Sequence, residues 1–219
     1  MSKNALVVWG GWEGHTPKQS VDRFIPFLEA NGFTVTVSND LASYANGALM
    51  AQQDLIVQCV TMSKIDKDQF AGLSEAVKAG CGLAGWHGGL CDSFRENTDY
   101  QWMTGGQWVS HPGGCIDYDV HISNQFDDVT AGLKDFRMPK TEQYFMHVDP
   151  GNTVLATTRF TGEHAAETRD VVMPVVWKKM WGKGRVFYNA LGHTHADFDV
   201  PECRTITERG LLWAARQGS

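Results

Sequence analysis

The stretch "GLAGWHGGLCDSF", Gly82 to Phe94, runs from an apolar segment into Gly-x-His-x-Gly. Small residues at that spacing mark a sharp strand-to-helix turn that lifts one side chain above an α/β sheet. A serine or cysteine nucleophile normally occupies the lifted position. Here the residue is His87, while Cys91 lies four residues on, in the first turn of the following helix. An imidazole displayed in this way can act as a general acid or base near neutral pH. A thiol inside a first helical turn is most often a small buried hydrophobe.

Ligands of open α/β sheets bind outside the carboxyl ends of the strands, so the polar residues just past apolar runs carry the most information. His15 follows "ALVVW" in "GGWEGHTP", His87 follows "GLAGW", His147 follows "YFM" and His193 follows "FYNALG". If those strands are neighbours, the imidazoles converge. A single loop histidine more often caps or is solvated, which is the reading for His121 and His164, and His195 is expected to face solvent. Glycines at 10, 11 and 14, at 85, 88 and 89, and at 105, 106, 113 and 114 allow close backbone approach to a ligand, although glycines also simply make turns. Trp12, Trp86, Trp102 and Trp108 lie in or beside these loops, with Glu13 adjacent, and flat rings there suit an apolar ligand face such as that of a sugar. A buried tryptophan cluster is the equal alternative. Trp177 and Trp213 read as core. No dinucleotide fingerprint and no phosphate-loop lysine is present.

The elements that must position these groups alternate. Strands over Ala5–Trp9, Phe33–Val37, Asp54–Val60 and Gly82–Trp86 are separated by a helix after Thr16–Pro17 that stops at Gly32, and by a helix with Phe70, Leu73 and Val77 on one face. This alternation predicts an α/β fold with a doubly wound, mainly parallel sheet. From Asn97 to Pro150 the pattern becomes loop-rich, with one alternating strand, "CIDYDVHIS". That segment is expected as an insertion covering the carboxyl edge of the sheet. Three strand patterns and a closing helix from Pro201 complete what is expected as one domain over residues 1–219.

Composition narrows the class. With 19 Lys+Arg against 25 Asp+Glu and a net charge of −6, no basic footprint for nucleic acid or an acidic membrane surface exists. The N-terminal apolar run is too short for a signal peptide or membrane span. Five cysteines, odd in number and without a Cys-x-x-Cys pair, fit reduced thiols, so a cytoplasmic protein is expected.

"GGWEGHTP", "GWHGG", "WVSHPGG", "TEQYFM" and "PVVWKKMWGKGRVFYNALGHT" together make the chain resemble the trehalose-utilisation, or ThuA-like, family over nearly its whole length. The resemblance implies a flavodoxin-like, class I glutamine amidotransferase-like fold without that superfamily's Cys-His-Glu triad. It marks His15, His87, His111, Glu142, Tyr144 and His193 as site residues. Many relatives carry a histidine after the "PVVW" tryptophan, where this chain has Lys178 and Lys179. The implied role is in carbohydrate catabolism, with a disaccharide such as trehalose or its keto derivative as the small-molecule partner. A homo-oligomer is compatible with the family.

The expected function is an enzyme that acts on a sugar or keto-sugar by isomerisation, elimination or hydrolysis. His87 or Glu142 would be the base, His15, His193 or a metal would stabilise the oxyanion, and Tyr144 would donate a proton. His111 joins the catalytic set, and Trp12, Glu13, Trp86, Trp108 and Tyr144 the substrate-binding set. Imidazoles with Glu142 could hold Zn²⁺ or Mn²⁺, though no close-spaced ligand motif marks a site. The alternative is a non-catalytic sugar-binding or regulatory module on an amidotransferase-like fold. A cysteine-dependent amidotransferase fits less well, because "GLCDS" lacks the glycine after the cysteine. His87→Ala is expected to cut turnover by roughly 10²–10⁴, whereas Cys91→Ala and thiol alkylation leave it near wild type. Steady-state assays of the two variants and of alkylated protein check this.

Overall fold

The computed structural model describes residues 3–217, so the ends of the expected 1–219 domain, residues 1, 2, 218 and 219, lie outside the described residues. The first half alternates as the apolar runs require. It comprises β1 (Lys3–Gly11), a 3-10 turn (Glu13–His15), α1 (Pro17–Asp22), α2 (Ile25–Ala30), β2 (Phe33–Ser38), α3 (Gly47–Met50), β3 (Leu55–Thr61), α4 (Lys67–Lys78), β4 (Gly82–Trp86) and α5 (Gly88–Cys91). The single helix expected after Thr16 is two short ones. Pro26 has no N–H and its ring would clash with the preceding turn, so it is tolerated only in the first turn of a second helix.

The second half adds α6 (Thr98–Thr104), β5 (Gly106–Ser110), β6 (Cys115–Ile122), β7 (Phe136–Glu142), β8 (Phe145–Val148), β9 (Thr153–Arg159), β10 (Val172–Trp181), β11 (Gly184–Asn189) and α7 (Pro201–Ala214). A nine-stranded sheet runs in the order β2-β1-β3-β4-β11-β10-β9-β6-β7. The five strands from β2 to β11 are parallel. From β11 outward the pairings to β10, β9, β6 and β7 are antiparallel. The fold is thus α/β with a parallel core, extended by an antiparallel wing.

That wing corrects the expected role of residues 97–150. Only part of the segment lies apart from the main sheet, as the two-stranded β5–β8 ribbon, while β6 and β7 lengthen the main sheet. The sequence of β7, "FRMPKTE", hides its strand character because Pro139, Arg137 and Lys140 break the pattern. Such residues are tolerated on an edge strand, and β7 is the edge. His147 is also reassigned: it lies inside β8, exposed, and is not at a strand exit.

The core centres on β3, every residue of which is buried, and on Trp86, Trp177, Phe24 and Phe198. Within β3, the polar Gln58 sits beneath α5. Its carboxamide accepts from the Tyr44 hydroxyl (2.8 Å) and donates to Ser93 Oγ (2.9 Å) and the Tyr100 oxygen (2.6 Å). Tyr100 in turn donates to the Leu90 carbonyl (2.7 Å), which fixes α5 on the sheet. All five cysteines are free, and among the described residues no helix is long and apolar enough to cross a membrane.

Candidate active site

His87 stands at the elbow between β4 and α5 with φ 48° and ψ −141°, a conformation costly for a residue with a Cβ. Its N–H donates to the Asn189 carbonyl (2.7 Å), and the Tyr188 hydroxyl donates to its own carbonyl (3.0 Å), so β11 holds the strained turn from the side. The ring is fixed too. Nδ1 lies 2.8 Å from the Ala190 carbonyl, which can only accept, so the proton is on Nδ1 and Nε2 turns toward Glu142 Oε2 at 3.0 Å.

Three more strand ends feed the same point. His15, in the 3-10 turn after β1, holds Thr61 Oγ1 at the end of β3 with Nδ1 (2.9 Å) and presents Nε2 to Glu142 Oε2 at 3.9 Å. His193, in the loop after β11, brings Nδ1 to 3.3 Å from that same oxygen, and this buried nitrogen has no hydrogen-bond partner. His111, one residue past β5, lies 3.5 Å from the other oxygen, Oε1. One donor atom from each of His15, His87, Glu142 and His193 falls within 4.8 Å of all the others.

Glu142 ends β7, at the far edge of the sheet, yet reaches the centre of it. Asp197 Oδ2 secures this by accepting from the Thr141 hydroxyl (2.6 Å) and from the His193 N–H (2.9 Å), so one oxygen ties the strand carrying Glu142 to the loop carrying His193. The Tyr118 hydroxyl donates to the Glu142 carbonyl (3.1 Å). Gly88 has to be glycine, because a Cβ there would sit 2.6 Å from Cε1 of His15 and 2.9 Å from Cγ2 of Thr61.

Burial keeps His15 and His87 neutral. It lowers His15 to about 2, helped by the neighbouring His87 and His193 and opposed by Glu142. Burial also lowers His87 against the hydrogen bond and charge of Glu142. For Glu142, burial opposes ionisation, but the neighbouring His193 and His87 outweigh it and hold the carboxyl well below its usual range. Burial, with Glu142 next, pushes the Tyr144 phenol far up, so it keeps its proton. Its ring stacks on His87 with centroids 3.8 Å apart. Cys91 is buried, with its thiol pushed up by burial, as its place in α5 implied.

Other expected site residues fall elsewhere. Trp86 is a correction: it is 1% exposed and packed between Phe24 and Phe198, which makes it core. Trp108 lies beside His111, but the Arg95 guanidinium covers a face of its ring at 4.6 Å and is itself held by Asp92 through two bonds (2.6 and 2.8 Å). That face is closed to a ligand. Trp12 is 47% exposed, with its ring edge-on to His15, and remains the open aromatic surface of the site. Glu13 is exposed beside it and joins none of the centre's ion pairs. Trp102 is exposed against Trp181, away from these contacts. Lys178 and Lys179 pair with Asp127 and Asp149, so neither joins the centre. Residue patterns gave no sign of Asp197, Tyr118 or the Ala190 carbonyl. Thr61 was within reach as the hydroxyl just past the third apolar run.

The family model described as trehalose utilisation, ThuA, matches residues 4–214. Among solved structures, a ThuA-like protein from Bacteroides uniformis superposes with a TM-score of 0.79 at 17% identity, over 97% of this chain and 91% of that one. A ThuA-like protein from Parabacteroides merdae gives 0.77 at 17% identity, over 100% and 93%. A cytoplasmic protein from Salmonella typhimurium LT2 gives 0.66 at 13% identity, over 97% and 100%. No curated protein sequence matches.

Neutral, buried His15 and His87 make the centre acid-labile. The unfolded chain takes up protons at these imidazoles below about pH 6.5, whereas folded His15 resists down to about 2. The unfolded state therefore binds more protons, and stability is lost as pH falls from 6.5 toward 4.5, by about 1.4 kcal/mol per pH unit for each such histidine. Denaturant titrations of chelator-treated protein are expected to show this slope, reduced by about one proton in His15→Gln.

Proposed function

Because the chain belongs to the ThuA family, whose description is trehalose utilisation, we propose that it is an enzyme acting on a sugar or keto-sugar at a divalent-metal centre held by His15, His87, His193 and Glu142. The observation that carries this reading is the convergence of three imidazole nitrogens and one carboxylate oxygen within 4.8 Å. Three imidazole nitrogens and one carboxylate oxygen form a borderline donor set that suits Zn²⁺ or Mn²⁺. The fit extends outward. His87 and His15 each spend their other ring nitrogen on a fixed partner, the Ala190 carbonyl and Thr61, which is how ligating histidines are oriented. The unpartnered Nδ1 of His193 is accounted for in the same way. A bound divalent ion would polarise a substrate carbonyl or hydroxyl oxygen and stabilise negative charge developing there.

The remaining groups divide the proton transfers. A ketone acidifies the adjacent C–H, so the step needs a base for that proton and a donor for the oxygen or leaving group. Both ring nitrogens of His87 are engaged, which moves the base away from the residue that the elbow alone suggested. His111 is the most open imidazole of the cluster, its side chain 36% exposed, and Glu142 Oε1 lies behind it to stabilise the imidazolium. We assign His111 as the base. Tyr144, held protonated beside His87, is the donor. Four histidines around one buried carboxylate exceed what a binding module requires, which favours an enzyme over a non-catalytic sugar-binding protein.

The test compares variants on a keto-disaccharide. His111→Ala is expected to lose roughly 10²–10⁴ in kcat with its bound-metal content unchanged, whereas His193→Ala loses metal and activity together. Full turnover by His111→Ala, or undiminished activity of His193→Ala in EDTA, contradicts the reading.

A further inference from the structure

Arg95 has no part in the chemistry derived above, yet it stands at the rim of the His/Glu centre with donors to spare. Its Nε and Nη2 bind the two oxygens of Asp92 (2.6 and 2.8 Å), which fills one edge of the guanidinium. Nη1 has no hydrogen bond among the described residues, and the side chain is 46% exposed against 3% for Asp92. A second edge, made by Nη1 and the remaining N–H of Nη2, is therefore open. We propose that this edge is a specificity-determining subsite of the centre, which binds two neighbouring oxygens of a neutral sugar on the His111 side. The proposal rests on the carbohydrate reading above and deepens it by naming a group that selects the substrate.

Arg95 is joined to the centre from two directions. Asp92, which holds it, closes the short helix that begins at the His87 elbow: its N–H donates to the Gly88 carbonyl (3.2 Å), and its carbonyl accepts from the N–H of Met62 (2.9 Å), just past β3. From there the guanidinium reaches β5. Its carbon lies 4.6 Å from the centroid of Trp108, and Gln107 donates to Asp92 Oδ1 (3.1 Å). The Trp108 ring is in turn 5.7 Å from that of His111 and 6.2 Å from that of Tyr144, centroid to centroid. Arg95 and the Tyr144 phenol are within electrostatic reach of one another. The indole Nε1 of Trp108, which can only donate, and Nδ1 of His111 are both buried without a hydrogen-bond partner. This side of the centre is short of acceptors, which an oxygen-rich ligand supplies.

The pairing with Asp92 decides what the free edge takes. A guanidinium is planar and presents parallel N–H donors along an edge, which matches two oxygens side by side. An unpaired arginine would favour a carboxylate or phosphate, but here the charge is already balanced by Asp92, and a second anion would bring two negative groups onto one cation. Neighbouring hydroxyl oxygens accept equally well and add no charge. The clamp also favours binding. With Asp92 and Trp108 holding the side chain, little rotamer freedom is lost when a ligand docks. A purely structural role, in which Arg95 only covers Trp108 and pairs Asp92, predicts no dependence on any particular substrate hydroxyl.

The experiment is steady-state kinetics with metal analysis of wild type, Arg95→Ala and Arg95→Lys, on keto-trehalose and its monodeoxy analogues. Arg95→Lys keeps a cation for Asp92 and Trp108 but lacks the second edge, so it separates ligand binding from folding. Both variants are expected to raise KM for keto-trehalose about tenfold, the effect of one charge-assisted hydrogen bond, with kcat falling far less and bound metal unchanged. At least one monodeoxy analogue should raise the wild-type KM by the same factor while leaving the KM of each variant at its value for keto-trehalose. An unchanged KM in Arg95→Lys, or variants that respond to every analogue as wild type does, overturns the subsite and leaves the carbohydrate reading intact. Absence of turnover of any keto-sugar by wild type overturns both.

Discussion

One oxygen of Glu142 faces three imidazoles, and the rest of the structure is arranged to make that tolerable. A buried carboxylate is costly unless it is paired and hydrogen-bonded. Here the compensation comes from groups delivered by β1, β4 and the loop after β11, each fixed by a partner of its own: Thr61 for His15, the Ala190 carbonyl for His87 and Asp197 for the His193 backbone. The sheet order puts β1, β3, β4 and β11 in or beside the centre, so their carboxyl ends supply three corners of the site. The fourth corner has to come from elsewhere, and the antiparallel wing brings it.

The elbow shows how local strain is sustained. A histidine at φ 48° is held at a cost of roughly 1–3 kcal/mol. The bonds to Asn189, Ala190 and Tyr188 oppose its relaxation on one side. On the other side, the buried Gln58 network pins the short helix that follows. A polar network placed in a fully buried strand is stable only when its members are satisfied, and the tyrosines and Ser93 meet that need. Gly88 leaves just enough room for the His15 ring, so the spacing of small residues that announces the turn also admits its neighbour.

Local features were legible in the sequence. The parallel core follows from apolar runs alternating with helices, and the turn at His87 follows from glycine spacing, because both depend on residues close in the chain. Glu142 was not legible in that way. It lies 55 residues from His87 on an edge strand disguised by Pro139, and only the family resemblance singled it out. The tryptophans failed for a related reason. Whether an indole faces a ligand or the core depends on distant partners, Phe24 and Phe198 for Trp86 and Arg95 for Trp108. His147 was misplaced because its short strand pairs with β5, nearly forty residues away.

Whether His15, His87, His193 and Glu142 form one coordination sphere is measurable by X-ray absorption at the metal edge of protein reconstituted with one equivalent of Zn²⁺. Three imidazole nitrogens and a carboxylate oxygen are expected at about 2.0–2.2 Å, with the carboxylate contribution lost in Glu142→Gln. A spectrum dominated by water or thiolate ligands, or one unchanged by Glu142→Gln, would contradict it.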